Sequence, residues 1–188
     1  MSMDRLWAPW RMAYILGSHG SGPGAAADQG AQECIFCRFP AEGPAHFSEH
    51  QILCCNASAF VIMNRFPYNS GHIMVVPRQH TADLLALSAA DYQATCELLR
   101  RSVAIVTREL SAHGCNIGMN LGRVAGAGID QHAHFHIVPR WNGDTNFMPV
   151  IGDVKVLSEH MVATFEKLRP PFADLAGPAP ESTVGGCR

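Results

Sequence analysis

The amino-acid sequence predicts an α+β domain, an antiparallel sheet with one long helix packed on it. Two observations carry that prediction. Short apolar runs are separated by Gly, Pro, Asn and Ser, the pattern of strands joined by tight turns. Between the third and fourth runs the apolar spacing changes to steps of three and four, the spacing of a single helix face. The chain has 188 residues, 47% hydrophobic and 16% charged, which suits one domain with an appendage.

The elements follow in order. Leu6 to Met12 holds Trp7, Pro9 and Trp10 and has the composition of an arm that docks onto the domain or a partner subunit. Gly17 to Gln32, rich in Gly, Ala and Ser, is expected to be a flexible loop. Residues 1–33 thus form an arm and loop, 34–169 the domain, and 170–188 a Pro- and Gly-rich tail that frays. Within the domain, Gln51–Cys55, Ala59–Asn64 and His72–Val76 are expected strands, the second and third joined by the turn Phe66-Pro67-Tyr68-Asn69-Ser70-Gly71. Ser88 is placed to cap a helix whose stripe is Tyr92, Cys96, Leu99, Val103, Val106 and Leu110, with Gly114 ending it. Cys115–Leu121 is a strand and Gly122–Gly128 a glycine-rich loop. His132–Val138 is a strand closed by Pro139, and a last helix covers Val156–Leu168.

Charge and composition narrow the function. A formal net charge of −2 argues against a bulk electrostatic grip on nucleic acid or an anionic membrane. No apolar run is long enough to span a bilayer, and Met1 to Trp7 lacks the apolar core of a signal peptide. A cytoplasmic protein is expected. Seven cysteines, an odd number, fit reduced thiols or a metal site better than a disulfide framework.

The densest chemical signal is Gln131-His132-Ala133-His134-Phe135-His136-Ile137-Val138. On a strand every second side chain shares a face, so His132, His134 and His136 form an imidazole row. Core histidines satisfied by hydrogen bonds are one reading. A three-histidine metal site is another, but alternate strand residues stand about 7 Å apart, too far to meet at one ion without distortion. The third reading is nucleophilic and acid–base chemistry on a phosphate ester, one imidazole attacking phosphorus and a second stabilising charge. The glycine loop just before the row favours it, because glycine lets main-chain N–H groups approach an anion.

Cys34-Ile35-Phe36-Cys37 is a C-x-x-C, a redox pair or half of a zinc site. As half of a zinc site it needs two histidines, and His80 and His132 are the candidates. His72 by itself suggests an exposed turn histidine, and Asn64 a strand-end residue. Cys54, Cys55, Cys96 and Cys115 lie in apolar runs as small core residues. Trp141-Asn142-Gly143-Asp144 suggests a surface turn, with a place lining the site as the alternative because it closely follows the histidine strand.

The run His132-Ala133-His134-Phe135-His136-Ile137-Val138 resembles the signature of the histidine triad (HIT) superfamily. Cys34–Cys37, Asn64–His72, Pro77-Arg78-Gln79-His80 and Ala125–Ile129 extend the likeness. Val138–Phe147 and Leu6–Arg11 are similar to a bacterial branch related to diadenosine tetraphosphate phosphorylases. The resemblance covers roughly residues 34–165 plus the tryptophan segment. It implies a homodimer whose sheets join across the interface, with tetramers left open. It implies nucleotide substrates, adenine foremost, and no organic cofactor. By motif position His134 is the expected nucleophile at the α-phosphate, His136 a phosphate ligand and His72 a helper beside it. Ile62 is expected to line the base pocket and Asn64 to meet the ribose, with Asn120 and the Ala127–Gly128 backbone beside the phosphates. In C-x-x-C members a structural zinc is implied, here on Cys34, Cys37, His80 and His132. The sequence departs at Ala127 and Gly128, where many hydrolytic members carry a glutamine or a hydroxyl residue, so water and phosphate both stand as acceptors. The expected activity is cleavage of dinucleoside polyphosphates through a nucleotidyl-histidine. Hydrolysis of adenosine phosphoramidates, or nucleotide binding without catalysis, are the alternatives.

Overall fold

The computed structural model describes residues 34–144 and 160–177. The expected Trp7–Trp10 arm, the Gly17–Gln32 loop, the start of the last helix at Val156 and the end of the tail lie outside the described residues. The elements are helix α1 (Ile35–Ala41), a one-turn α2 (Phe47–His50), strands β1 (Ile52–Cys55), β2 (Ala59–Met63) and β3 (Ile73–Pro77), the long helix α3 (Ala89–Glu109), β4 (Gly114–Met119), β5 (Phe135–Arg140) and helix α4 (Met161–Ala173). The strands form one sheet in the order β1-β2-β3-β5-β4, with every neighbouring pair antiparallel. This is the α+β architecture the apolar pattern predicts.

Both faces of β1, β2 and β3 are covered, which is why these strands are continuous apolar runs rather than alternating ones. Val61, Met63, Ile73, Val75 and Ile137 meet Leu98, Ile105 and Val106 of α3 and Phe165, Leu168 and Phe172 of α4. On the opposite face Ile52, Phe60, Ile62, Met74 and Val76 meet Phe36, with Ile35, Phe39, Phe47 and Ile129 at its margin. A bulge shifts the register between Ile52 and Cys54, so that both Leu53 and Cys54 join the helix-side core. Helices α1 and α2 carry no amphipathic signal and were not expected; they exist because this second face needs cover.

Helix α3 begins as expected. The Ser88 hydroxyl accepts from the Asp91 N–H at 3.0 Å and donates to the Asp91 carboxylate at 2.8 Å. Its buried face, however, is Thr95, Leu98, Ser102, Ile105 and Val106, rotated from the expected stripe. Tyr92 is 39% exposed, and Leu99, Val103 and Leu110 are only partly buried. Thr95 and Ser102 can occupy the interior because their hydroxyls donate to their own helix, to Asp91 O and Leu98 O, each at 2.7 Å.

The histidine strand also differs from expectation. Its ladder begins at Phe135 and runs through Pro139 to Arg140, while His132 and His134 precede it. The Ala133 N–H donates to Thr81 O at 2.7 Å and ties this approach to the chain after β3. Pro139 is tolerated because β3 pairs with β5 no further than Ile137. The Pro139 carbonyl takes a bond from the Asn69 side chain on that same side, where no strand needs the missing N–H. Helix α4 likewise continues through Pro170 and Pro171 to Ala173 instead of stopping at Leu168. Burial of Phe172 and Leu175 in the helix-side core holds in place a segment expected to fray.

Candidate active site and metal centre

The strand register builds the site. Ile52 pairs with Ile62, Ile62 with Met74, Met74 with His136, and His136 with Gly118. Directly paired residues share a face, so one row crosses the whole sheet on the side away from α3 and α4. The period of two puts Asn64, His72 and Asn120 on that face as well. Among the sequence-predicted residues, Ile62, Asn64, His72, Asn120 and His136 therefore converge on one surface, and His134 joins them from the approach to β5. The Phe36 ring backs it, 5.1 Å from the His134 ring and 5.5 Å from that of His132.

Hydrogen bonds fix which nitrogen of each ring carries the proton. His134 Nδ1 donates to the His132 carbonyl at 2.8 Å, so in the neutral ring Nε2 carries the lone pair. The Tyr68 N–H donates to His72 Nδ1 at 3.0 Å, which leaves the proton of neutral His72 on Nε2. That nitrogen donates to His136 Nδ1 at 3.0 Å. His136 must then hold its own proton on Nε2. The row thus presents a nucleophilic lone pair on His134 and a donor on His136, with ring centroids 4.8 Å apart. Burial pushes the His134 imidazole below its ordinary value, opposed by its bond to the His132 carbonyl. Burial, and then His134, push His136 down to about 4. Both rings are neutral near pH 7.

His72 is fully buried, not an exposed turn residue. The Tyr68 ring stacks on it at 4.8 Å. Asn64 accepts the Phe66 N–H at 2.9 Å, and its amide nitrogen lies 3.5 Å from His72 Nε2. Asn120 donates to the Gly126 carbonyl at 3.4 Å and so props the glycine loop. In that loop Gly122 and Gly126 have positive φ, +79° and +89°. The Ala127 N–H closes the turn on Gly122 O at 3.4 Å. Exposed Gly128 has nothing within 4 Å of the place a Cβ would occupy.

Cys34, Cys37, His80 and His132 meet at one end of the row, their ligand atoms within 4.8 Å of one another. Cys34 Sγ lies 3.4 Å and Cys37 Sγ 3.7 Å from His132 Nδ1; Cys37 Sγ and His132 Nδ1 each lie 3.3 Å from His80 Nδ1. A tetrahedral shell with metal–sulfur bonds of about 2.3 Å and metal–nitrogen bonds of about 2.0 Å spaces its ligands by about 3.3–3.8 Å. The residues fit such an ion. His132 Nε2 donates to Pro77 O at 2.8 Å, which turns Nδ1 toward the cluster. Burial, reinforced by His80 and His134, pushes His132 down to about 4, the neutral form a ligand needs. The C-x-x-C opens α1, and two imidazoles converge on it as a zinc site requires.

Sequence reasoning did not single out five contributors. Phe36 lies within the C-x-x-C motif and Met74 within an expected strand. Tyr68 and Asn69 were turn residues. Asp144, expected chiefly in a surface turn, has a side chain only 9% exposed and accepts hydrogen bonds from Arg140, Trp141 and Asn69. The expected core cysteines divide, with Cys54 and Cys55 buried and Cys96 and Cys115 partly so.

Comparison with known proteins agrees with this geometry. A model of the HIT domain matches residues 47–143. The AP-4-A phosphorylase of Mycobacterium tuberculosis is 31% identical over 157 residues, 84% of this chain and 78% of that protein. An adenosine 5'-monophosphoramidase of Schizosaccharomyces pombe is 30% identical over 109 residues, 58% of this chain and 75% of its own. The crystal structure of a Zn-bound histidine triad family protein from Mycobacterium smegmatis superposes with a TM-score of 0.61 at 25% identity, covering 78% of this chain and 97% of that one. With the histidines gathered on one face of an antiparallel sheet and a family match across most of that sheet, this chain belongs to the HIT domain family.

Proposed function

We propose that this protein is a nucleotidyl hydrolase or transferase that cleaves dinucleoside polyphosphates of the diadenosine tetraphosphate type at the α-phosphate. The observation that carries the reading is the pair of fixed tautomers, a lone pair on His134 Nε2 beside a donor on His136 Nε2. His134 attacks the α-phosphorus, a P–N bond forms, and the P–O bond to the bridging oxygen breaks. For diadenosine tetraphosphate the leaving group is ATP and the intermediate is AMP on His134. Water then releases AMP, or inorganic phosphate releases ADP. His136, polarised by His72, donates to a non-bridging oxygen as charge builds on it. Ile62 and Phe36 form the apolar wall for the base, Asn64 faces the ribose, and Asn120 with the Ala127–Gly128 backbone lies beside the phosphates.

Zinc on Cys34, Cys37, His80 and His132 would have a structural role, fixing the approach to β5 behind the nucleophile. The catalytic unit is a homodimer in this reading. Support comes from β4, a sheet edge on which Ile117 is 50% exposed.

The relative that acts as a phosphoramidase supports a second reading with the same site. There nitrogen rather than oxygen leaves phosphorus, and the loop residues Ala127 and Gly128 offer a departing polyphosphate no side-chain contact.

The test is incubation of diadenosine tetraphosphate with the purified chain, with and without phosphate, followed by product separation. ADP plus ATP only with phosphate identifies a phosphorylase, and AMP plus ATP regardless of phosphate a hydrolase. His134→Ala is expected to abolish turnover and spare nucleotide binding. Turnover of adenosine phosphoramidate alone would establish the second reading. Tight binding without any turnover dependent on His134 would overturn both.

A further inference from the structure

We propose that Asp144 is a positioning residue for His72 and His136, acting through the side chain of Asn69; the proposal rests on the catalytic reading above. Asp144 stands just past β5, and its carboxylate accepts hydrogen bonds from Arg140, Trp141 and Asn69. Arg140 grips it with Nε on Oδ2 at 2.6 Å and Nη2 on Oδ1 at 2.8 Å. The Trp141 N–H donates to Oδ2 at 3.1 Å. Asn69, from the turn between β2 and β3, donates to the same oxygen at 2.9 Å.

Asn69 is the link between this anchor and the histidines. Its amide nitrogen bridges Asp144 and the Pro139 carbonyl, at 2.9 and 3.2 Å. Its side-chain oxygen accepts the Ser70 N–H at 3.0 Å, and its backbone carbonyl accepts the His72 N–H at 3.2 Å. The preceding residue, Tyr68, supplies the N–H that sets the His72 tautomer. The anchor is itself braced, since Arg140 Nη1 donates to Asn116 on β4 at 2.8 Å and Trp141 Nε1 donates to Leu110 O at 3.1 Å.

Removing the carboxylate takes the acceptor from one of the two Asn69 amide hydrogens. The turn keeps only the Pro139 bond as its tie to β5, and the Tyr68 N–H is held less firmly against His72 Nδ1. His72 can then place its proton on Nδ1 and accept through Nε2. His136 follows by protonating Nδ1, which turns the lone pair of its Nε2 toward the phosphate and replaces a donor with a repulsive acceptor. A salt bridge serving stability alone would lower the melting temperature and leave these tautomers unchanged.

The experiment compares the full-length wild type with Asp144→Ala, Asp144→Asn and Asn69→Ala. It reads the imidazole nitrogens by 15N NMR and steady-state cleavage of diadenosine tetraphosphate well below the melting temperature. The wild type is expected to show a single Nε2–H tautomer at His72. In Asp144→Ala and Asn69→Ala that signal becomes a tautomer mixture, and kcat falls about 10–100-fold with KM little changed. Asp144→Asn, which keeps an acceptor for Asn69, is expected to lie between them and the wild type. It also carries the test if the alanine variants do not fold. An unaltered His72 tautomer with unaltered kcat in folded variants overturns the proposal. If the wild type does not cleave the substrate, the functional reading fails, and the His72 tautomer still decides the Asp144 clamp.

Discussion

Gly71 is where a single methyl group most directly tests the link between fold and site. Its φ is +73°, a region that costs an L-residue with a Cβ about 1–2 kcal/mol. A Cβ there would stand 2.3 Å from Leu110 Cδ1 and 3.3 Å from Pro139 Cγ. Leu110, partly buried at the end of α3, can rotate aside. Pro139 is a ring within the β4–β5 ladder and cannot. Overpacking of this kind adds about 1–3 kcal/mol. Gly71→Ala is therefore expected to lose about 2–5 kcal/mol, and at about 2–4 °C per kcal/mol for a chain of this size its melting temperature falls by about 4–20 °C. Since the next residue is His72, kcat per folded molecule should fall as well. Gly118→Ala is the contrast. Nothing lies within 4 Å of its Cβ position, so its melting temperature should move by less than about 2 °C. It lies directly opposite His136, and the added methyl is expected to raise KM. Thermal melting by circular dichroism and steady-state kinetics give both quantities. A Gly71→Ala protein that melts with the wild type, or a Gly118→Ala protein that melts as low as Gly71→Ala, refutes this packing argument.

Two further outcomes are expected. His136 has its folded pKa pushed below the ordinary 6.5, to about 4, so the unfolded chain binds more protons between those values. Its contribution to stability is complete above pH 6.5 and is lost as pH falls toward 4; urea midpoints across that window should fall less steeply in His136→Gln, and parallel curves would remove the assignment. The Cys34, Cys37, His80 and His132 cluster should bind about one zinc per chain and raise the melting temperature, by elemental analysis and melting with and without chelator. Cys34→Ser should lose the metal while His134→Ala keeps it, and a chain whose melting ignores added zinc would sink the assignment.

Most of the sheet was legible because its signals are local. The triad spacing, the Ser88 cap and the turn from Phe66 to Gly71 are statements about neighbours in sequence, and each of them is where the fold needed it. The four-residue Cys/His cluster was also legible: read as half of a zinc site, the C-x-x-C needs two more ligands, and His80 and His132 were the candidates. What the sequence did not contain was the choice of faces. The α3 stripe counted by hydrophobicity, Tyr92 to Leu110, differs from the face the sheet selects, because Thr95 and Ser102 satisfy their hydroxyls within the helix and can be buried. Helix α1 has no amphipathic signal and includes Pro40, yet it forms where Phe36 fills the second face.

The same division holds within the site. Residue spacing placed His132, His134 and His136 in one row, and the family resemblance was the source of the expectation that His134 and His136 act on phosphorus. Their protonation pattern was decided by carbonyls and amides that the fold sets against the rings: Pro77 O for His132, the Tyr68 N–H for His72 across a four-residue turn, and the Asp144–Asn69 bridge to that turn. A hydrogen bond across 55 or 75 positions leaves no periodic trace in a sequence, because closing the loop fixes only the spatial meeting of its ends.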